Sequence, residues 1–209
     1  MSKPLKESNR WNLWLVVAIN TVFIYTVLQT HSIAVSGLSS ALTDVDKLVP
    51  VGVSVLITTV LNGLLSANTK ARLVFLRWHN ALPGHRAFTK YGKSDPRVDL
   101  VDVEKLLGAA LPAEPRDQNK AWFRMYKAVE NAPAVVQVHK DFLLLRDYTG
   151  LSLLFLLVYG GAGLYMISEK ITAFMYVGIL VAQFAVVRVA AANYGIRMVT
   201  TVLSESSRA

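Results

Sequence analysis

The chain lacks cysteine entirely and carries little charge for its length. Because none of its 209 residues is cysteine, disulfide bonds, thiolate metal sites, iron–sulfur clusters and thiol nucleophiles are all excluded. Charged residues make up 17% of the chain, whereas about 25% is usual for soluble globular domains. Strand-like alternation of apolar and polar residues is also missing. These absences argue against a soluble domain and leave an apolar helical protein.

Four long apolar runs contain no Asp, Glu, Lys or Arg: Trp11–Gln29, Val49–Ala67, Leu151–Ile167 and Ile171–Val187. A helix over each run would be about 26–28 Å long, close to the roughly 30 Å thickness of a hydrocarbon core. The sequence therefore predicts an all-α membrane protein with four transmembrane helices. They form two helical hairpins, and a small helical cytoplasmic domain is inserted between spans 2 and 3.

The basic residues predict which segments face the cytoplasm. Residues 68–150 carry fourteen Lys and Arg, whereas the two short connections carry only Lys47 and Lys170. An excess of Lys and Arg marks cytoplasmic segments. We therefore expect a multi-pass protein of the bacterial inner membrane with both termini in the cytoplasm. The predicted division is a cytoplasmic N-terminus (1–10), a first transmembrane hairpin (11–67), a basic helical cytoplasmic domain (68–150), a second hairpin (151–192) and a cytoplasmic tail (193–209).

Breaks at Pro, Gly and Asp divide the cytoplasmic domain into short helices. The second span should continue as a helix as far as Asn80, because no Pro or Gly interrupts it before Pro83-Gly84. Asp95 is the expected N-cap of the next helix, since proline follows it. The spacing i, i+3, i+4 and i+7 of Trp122, Met125, Tyr126 and Val129 then predicts an amphipathic helix over Arg116–Asn131. A further helix starts at Pro133 and continues into the third span with a bend at Gly150, and its predicted apolar face consists of Val135, Val138, Phe142 and Leu145.

A basic stretch with interleaved aromatic residues is the candidate ligand site. Between Lys70 and Arg97, seven basic residues stand against Asp95 alone. Three interpretations are open: contact with anionic headgroups of the inner leaflet, an anion site for a nucleotide, a phosphate-bearing messenger or nucleic acid, and docking of an acidic protein. No nucleotide-binding or RNA-binding motif supports the second. The candidate anion-binding residues are Arg72, Arg77, His79, His85, Arg86, Lys90, Lys93 and Arg97.

Polar residues also occur inside the apolar runs, where each needs a partner. Ser54, Thr58, Asn62 and Ser66 recur every four residues and share one helix face. Asn20, Gln183 and Arg188 are the other members of this set. Two interpretations are open: hydrogen bonds between helices, or the lining of a pore. Small residues such as Gly160 and Gly178 predict close helix packing and a homo-oligomer, either a dimer or a tetramer.

The sequence contains no catalytic constellation. His79 and His85 flank the Pro-Gly turn without the spacing of a zinc protease, and neither a GxSxG nor an SxxK motif is present. We therefore expect no catalytic residue, no metal and no cofactor, and a protein that is not an enzyme.

The architecture predicts a non-enzymatic membrane effector or anchor that forms oligomers. Its cytoplasmic domain would dock a protein partner or sense a cytoplasmic signal, in bacterial stress or antiviral (anti-phage) defence, with membrane depolarisation as one output. The alternatives are a small channel or transporter and a membrane-bound enzyme acting on lipid headgroups. The first lacks intramembrane carboxylates for proton coupling, and the second lacks catalytic groups.

Overall fold

The computed structural model describes residues 9–29 and 48–208, excluding the side chains of residues 48–51 and 54. The predicted N-terminal segment up to residue 8, the outer loop over 30–47 and Ala209 lie outside the described residues. The described part is all-helical and contains no strand, which confirms the predicted helical class.

Eight α-helices and three tighter or wider helical segments follow one another in the described part. They are α1 (Arg10–Leu28), α2 (Leu48–Leu64), α3 (Ala67–Phe75), a 3-10 turn (Pro83–Arg86), a first π segment (Ala87–Gly92), α4 (Leu100–Leu107), α5 (Pro115–Val129), α6 (Pro133–Leu154), a second π segment (Phe155–Tyr159), α7 (Gly160–Met166) and α8 (Lys170–Ser206).

Three helical stretches of the described part are long and apolar enough to cross a membrane. They are α1 with 19 residues, the continuous stretch Pro133–Met166 with 34, and α8 with 37. The predicted second span forms α2, which has 17 residues and is the shortest of the apolar helices. Long apolar helices of this kind are typical of membrane proteins, because a helix satisfies its backbone hydrogen bonds internally.

The chain divides into two compact units. The apolar unit comprises the described residues of Arg10–Ser66 and Asp147–Val187. Its core contains side chains from α1, from the second π segment and from α8, with Phe155, Tyr159 and Tyr176 as the largest buried rings. The rings of Phe23 and Tyr176 lie 5.3 Å apart, and those of Phe155 and Tyr159 lie 5.2 Å apart. The apolar unit is therefore packed around aromatic rings.

The basic unit comprises Asn9, Ala67–Arg146 and the described residues from Arg188 onward. Its core includes Trp122, Met125 and Val129 of α5, which are members of the predicted amphipathic pattern. The predicted apolar face after Pro133 also contributes to this core, through Val135, Val138 and Phe142. The 3.6-residue period therefore identified the buried faces of both helices correctly.

One buried amide links the first π segment to α5. The Gln118 side chain is 1% exposed, and its Oε1 accepts hydrogen bonds from the backbone N–H groups of Phe88 and Thr89, both at 3.2 Å. The Thr89 hydroxyl donates to the same oxygen at 3.1 Å, while Gln118 Nε2 donates to the Ala113 carbonyl at 2.8 Å. A side chain therefore supplies the hydrogen-bond acceptor for two backbone N–H groups of the π segment.

The helix after the second span ends earlier than the sequence predicts. A break at Leu65–Ser66 separates α2 from α3, and α3 ends at Phe75, although the prediction continued the helix to Asn80. Leu76 and Asn80 have φ values of +50° and +48°, which a right-handed helix does not accommodate. Arg188 donates to the Val74 carbonyl at 3.2 Å and so satisfies an acceptor at the end of α3.

The predicted N-cap of the next helix is wrong. The N-cap of α4 is Asp99, whose side chain accepts hydrogen bonds from the backbone N–H groups of Val101 and Asp102. The predicted N-cap, Asp95, instead forms an ion pair with Arg97 at 2.7 Å. Gly150, the predicted position of a bend, lies within helix α6, whose α-helical hydrogen bonding continues through it. The departure from α-helical geometry comes later, in the second π segment.

A long helix extends into the C-terminal segment of the chain. The segment 193–209 is a cytoplasmic tail in the sequence prediction, whereas in the structure α8 continues to Ser206. Met198, Val199, Val202 and Leu203 lie in the core of the basic unit. This part of α8 is therefore a structural member of the basic unit.

We expect Gly195→Ala to destabilise the protein. A Cβ at Gly195 would lie 2.7 Å from Phe75 Cζ and 2.9 Å from Phe142 Cε2, and rigid rings cannot yield without repacking. The expected loss is about 1–3 kcal/mol of unfolding free energy, measured by denaturant unfolding in detergent. Gly63→Ala in α2 is the matched control, since Gly63 is also helical and nothing lies within 4 Å of its added Cβ. It should be neutral or stabilising, and an equal loss in both variants would contradict the packing argument.

Candidate functional site

Two of the predicted anion-binding residues line one cavity beside an exposed tryptophan. This arginine–tryptophan cavity has a volume of about 280 Å³ and is lined by Thr69, Arg72, Leu73, Leu76, Arg77 and Trp78. The Arg72 guanidinium lies over the indole of Trp78, 5.9 Å from the ring centroid. Such stacking positions a guanidinium without using its in-plane N–H donors. The cavity therefore presents cations and an aromatic ring together.

Arg86 is the third arginine of this region. Its Nη1 donates to the Asn80 carbonyl at 3.1 Å. Burial, and then the positive charge of nearby Arg77, lower the pKa of Arg86. Neighbouring like charges raise the local positive potential, which favours a bound anion.

The structure places the other predicted basic residues elsewhere. His79 and Lys93 are exposed, His85 Nδ1 lies 3.0 Å from the Leu82 carbonyl oxygen, and Lys90 lies over the ring of Tyr91 at 5.7 Å. None of these four side chains lines the arginine–tryptophan cavity.

Arg97 lies on a different surface of the basic unit. It lines two shallow cavities together with residues of α8, and its Nη2 donates to Asp95 at 2.7 Å and to the Thr200 hydroxyl at 3.1 Å. The hydrogen bond from Arg97 holds the pKa of Asp95 well below its usual range. The eight predicted anion-binding residues are thus divided among several surfaces.

Part of the predicted polar face lies inside the apolar unit. The Thr58 side chain is fully buried and interacts with the Tyr159 hydroxyl. The Asn62 Oδ1 atom is buried and has no hydrogen-bond partner within the described residues, and Asn62 lines a cavity of about 230 Å³ with Arg10 and Trp14. Ser66 is exposed, and the Ser54 side chain lies outside the described part. The four-residue repeat therefore includes one buried polar atom, Asn62 Oδ1, with an unmet hydrogen bond.

The remaining polar residues of the spans have hydrogen bonds of different kinds. Asn20 is buried, and its amide donates to the Val16 carbonyl in its own helix at 2.9 Å. Gln183 donates to the Tyr148 hydroxyl at 2.9 Å, a bond between helices. Arg188 belongs to the basic unit and bonds the end of α3. These three residues therefore form separate hydrogen bonds, and none of them adds to the helix face that carries Thr58 and Asn62.

Sequence reasoning missed a group of hydroxyls at the centre of the apolar unit. The hydroxyl cluster consists of Thr21 of α1, Thr58 of α2, Tyr159 of the second π segment and Tyr176 of α8. Thr21 donates to the Val17 carbonyl at 2.8 Å, which leaves its oxygen to accept from the Tyr159 hydroxyl at 3.1 Å. Thr58 and both tyrosines are at most 2% exposed. The Thr58 hydroxyl interacts with that of Tyr159, whereas the Tyr176 hydroxyl has no partner in the described residues.

The second π segment gives this cluster its position. A π turn accommodates an extra residue and rotates the side chains that follow, and such turns are frequent at functional sites. Here it ends at Tyr159, which is fully buried. The available sequence signal was the presence of two tyrosines within apolar runs, but neither position reveals which helices its ring contacts. Their burial depends on three-dimensional packing.

A second unpredicted feature is an aromatic cavity in the basic unit. Its volume is about 310 Å³, and it is lined by residues of the 3-10 turn, α5, α6 and α8. The Tyr126 hydroxyl lies 3.1 Å from His139 Nδ1, and Trp122 stacks on Tyr126 with ring centroids 5.8 Å apart. The buried Asn119 Oδ1 has no hydrogen-bond partner in the described part. Apolar cavities with a few polar groups are typical of small-molecule sites.

Comparisons with protein-family models, with curated proteins and with solved structures found no match for this chain. Within residues 9–29 and 48–208, no group of three or more His, Asp or Glu side chains is arranged to hold a metal ion.

We expect the two buried tyrosine hydroxyls to differ in their contribution to stability. Tyr159→Phe removes the hydrogen bond to Thr21 and should cost about 1 kcal/mol of unfolding free energy. Tyr176→Phe removes a hydroxyl that has no partner in the described part, so it should be neutral or slightly stabilising. Denaturant unfolding of both variants in detergent measures the difference. An equal loss would mean that the Tyr176 hydroxyl is hydrogen-bonded, for example to a buried water.

Proposed function

We propose that the protein is a non-enzymatic integral membrane protein of the bacterial inner membrane that acts as an oligomeric effector or anchor. In this proposal the chain spans the membrane four times, α2 being the short span, and both termini and the basic unit lie in the cytoplasm. The basic unit docks a protein partner or senses a cytoplasmic signal, and the apolar unit responds. Stress or anti-phage defence is the proposed setting, with depolarisation as one output.

The observation that carries this proposal is that two helices supply core residues to both units. Helix α6 contributes Val138 to the basic core and Leu151 to the apolar core. Helix α8 contributes Leu180 to the apolar core and Leu203 to the basic core. Helices pass on displacements better than flexible linkers do, because their backbones are internally hydrogen-bonded. In the proposed function, a signal bound to the basic unit reaches the apolar unit along these two helices.

The aromatic cavity is the proposed place where the basic unit receives its signal or partner. Phe123 is 50% exposed at this cavity, and an exposed aromatic ring is a favourable anchor for a partner. Lining residues Phe142 of α6 and Val199 of α8 belong to the two shared helices. A ligand bound here would therefore contact both of them.

Two glycines with open surroundings support oligomer formation. A Cβ at Gly160 would meet Leu156, Val177 and Leu180 of the same chain at 3.7–3.8 Å, whereas nothing lies within 4 Å at Gly161 or Gly178. Of the predicted pair, Gly160 therefore packs within the subunit. Gly161 and Gly178 are free for close approach of another helix, and we propose them as part of the contact in a dimer or tetramer.

Topology is tested most directly with single cysteines, because the chain has none. Ala110→Cys lies in an exposed loop of the basic unit, and Ser168→Cys lies in the exposed turn between α7 and α8. In spheroplasts, a membrane-impermeant maleimide should label Ser168→Cys at once and Ala110→Cys only after lysis. The cysteine-free chain is the background control. Labelling of Ala110→Cys before lysis would contradict the proposed orientation.

A small channel is the alternative function, and the buried Asn62 Oδ1 atom favours it, because a polar atom without a partner in the described residues suits a hydrated path. The channel alternative predicts that Asn62→Leu abolishes ion flux at unchanged abundance, since an apolar constriction dewets. If the polar face only forms hydrogen bonds between helices, Asn62→Leu should lower the free energy of unfolding by roughly 0.6 kcal/mol. Any depolarisation should then change only in proportion to the amount of protein.

A membrane-potential dye in cells expressing each variant, with abundance measured by immunoblot, separates the two functions. Val60→Leu is the matched control, because Val60 is on the same helix and 62% exposed. Full depolarisation by Asn62→Leu at normal abundance would contradict the channel function.

A further inference from the structure

The arginine–tryptophan cavity is formed by one face of α3 and the turn that follows it. Four lining residues have the spacing i, i+3, i+4 and i+7 that places side chains on one side of a helix. They are Thr69, Arg72 and Leu73 of α3 and Leu76, which follows its last residue. The positive φ of Leu76 then turns the chain, so that Trp78 lies against Arg72. The cavity is thus built from a continuous segment of ten residues, 69–78, and requires no distant part of the chain.

Arg72 keeps an unused hydrogen-bond donor in this cavity. Its Nε atom is buried and has no partner within the described residues, although the indole of Trp78 holds the guanidinium in place. A buried N–H without an acceptor is unfavourable by about as much as a hydrogen bond is worth, so an oxyanion that reaches it gains that interaction. Arg77 lines the same cavity and supplies a second cation.

The apolar residues at the cavity are unusually exposed. Trp78 is 77% exposed and Leu76 is 66% exposed. Tryptophan is enriched at membrane–water interfaces, where its ring is buried and its N–H is hydrated. A site for a free, fully hydrated anion has no use for an exposed leucine and tryptophan, whereas a lipid presents a phosphate and an acyl chain together.

The position in the sequence agrees with a location at the bilayer surface. Arg72 follows the end of α2 at Leu64 by eight residues. If α2 spans the membrane, as in the proposed function, α3 comes directly after a membrane span in the sequence, where basic residues and tryptophan are common.

We propose that the arginine–tryptophan cavity binds an anionic phospholipid of the inner leaflet. Its phosphate is held by Arg72 and Arg77, and the upper part of an acyl chain lies along Leu73, Leu76 and Trp78. Arg72 provides a planar guanidinium fixed by stacking, which suits bidentate contact with phosphate oxygens. This inference rests on the proposed membrane location and adds a specific lipid class and a specific site.

The test is native mass spectrometry of the full chain in detergent, titrated with short-chain phosphatidylglycerol. Phosphatidylcholine serves as the zwitterionic lipid, and glycerophosphoglycerol and inorganic phosphate serve as ligands without acyl chains. We expect wild-type protein to bind one phosphatidylglycerol more tightly than phosphatidylcholine. Arg72→Gln and Arg77→Gln should each weaken that binding about tenfold or more, because a charged hydrogen-bonding partner is lost.

Lys120→Gln is the matched charge control, since Lys120 is an exposed cation on α5 that lies outside the cavity; its binding should equal that of wild type. Circular dichroism and thermal unfolding check that each variant is folded. If Arg72→Gln does not fold, Arg77→Gln decides, because Arg77 is exposed.

Three results would overturn the inference: equal binding of the two lipids, wild-type affinity in a folded arginine variant, and saturation by inorganic phosphate or glycerophosphoglycerol at the same concentrations as the lipid. Carbonate extraction of native membranes is run in parallel. If the lipid site fails while the chain resists extraction, only this inference is wrong. If the chain is extracted, the proposed membrane function fails with it.

Discussion

The structure depends on one constraint, which is that every polar group buried away from water needs a partner inside the chain. In an apolar environment a helix satisfies its own backbone hydrogen bonds. Short polar side chains meet the requirement by donating to a backbone carbonyl in the preceding turn of the same helix. Thr21, Thr26 and Thr59 each donate to the carbonyl four residues earlier, as Asn20 does. Polar residues on the apolar helices are thus largely accommodated within their own helix. Few polar side chains of these helices therefore remain available for hydrogen bonds between helices.

The same constraint shapes the basic unit, where irregular backbone is satisfied by specific side chains. Gln118 accepts three hydrogen bonds from Phe88 and Thr89, Arg86 bonds the Asn80 carbonyl, and Arg188 bonds the end of α3. Each of these side chains replaces a partner that a regular helix would have provided. The basic residues near the start of the unit therefore have two roles: Arg86 supports a loop, while Arg72 and Arg77 line a cavity.

Sequence reasoning identified the features that depend on local pattern. The helical class, the apolar helices and the buried faces of α5 and α6 follow from hydrophobic runs and from the period of 3.6 residues, which tertiary packing rarely changes. Failures occurred where two local signals compete. Asp95 and Asp99 both precede plausible helix starts, and Arg97 decides between them by engaging Asp95, an interaction that residue preferences do not encode. Similarly, Pro83 marks a break, but the helix ends before it, where Leu76 adopts a positive φ.

The candidate sites were predicted only where neighbouring residues in the sequence form them. Arg72 and Arg77 were among the eight residues predicted from the basic-aromatic pattern, and they lie with Trp78 within seven consecutive residues. The hydroxyl cluster brings together residues as far apart as Thr21 and Tyr176. The position of Tyr159 in this cluster depends on a π segment, and π segments have no reliable sequence signature. The aromatic cavity likewise combines α5, α6 and α8. Sites of this type require tertiary contacts, which a single sequence does not reveal.

The two sets of unmet polar groups differ in their energetic consequences. Arg72 lies at a cavity beside an exposed ring, so a ligand can approach its guanidinium, although its Nε atom is buried without a partner in the described residues. Tyr176 is 2% exposed and its hydroxyl has no partner in the described residues, and an unsatisfied hydroxyl there costs about 1–3 kcal/mol. The unmet donor of the basic unit can therefore be satisfied by a ligand, whereas the unmet hydroxyl of the apolar unit requires a partner inside the protein, such as a buried water.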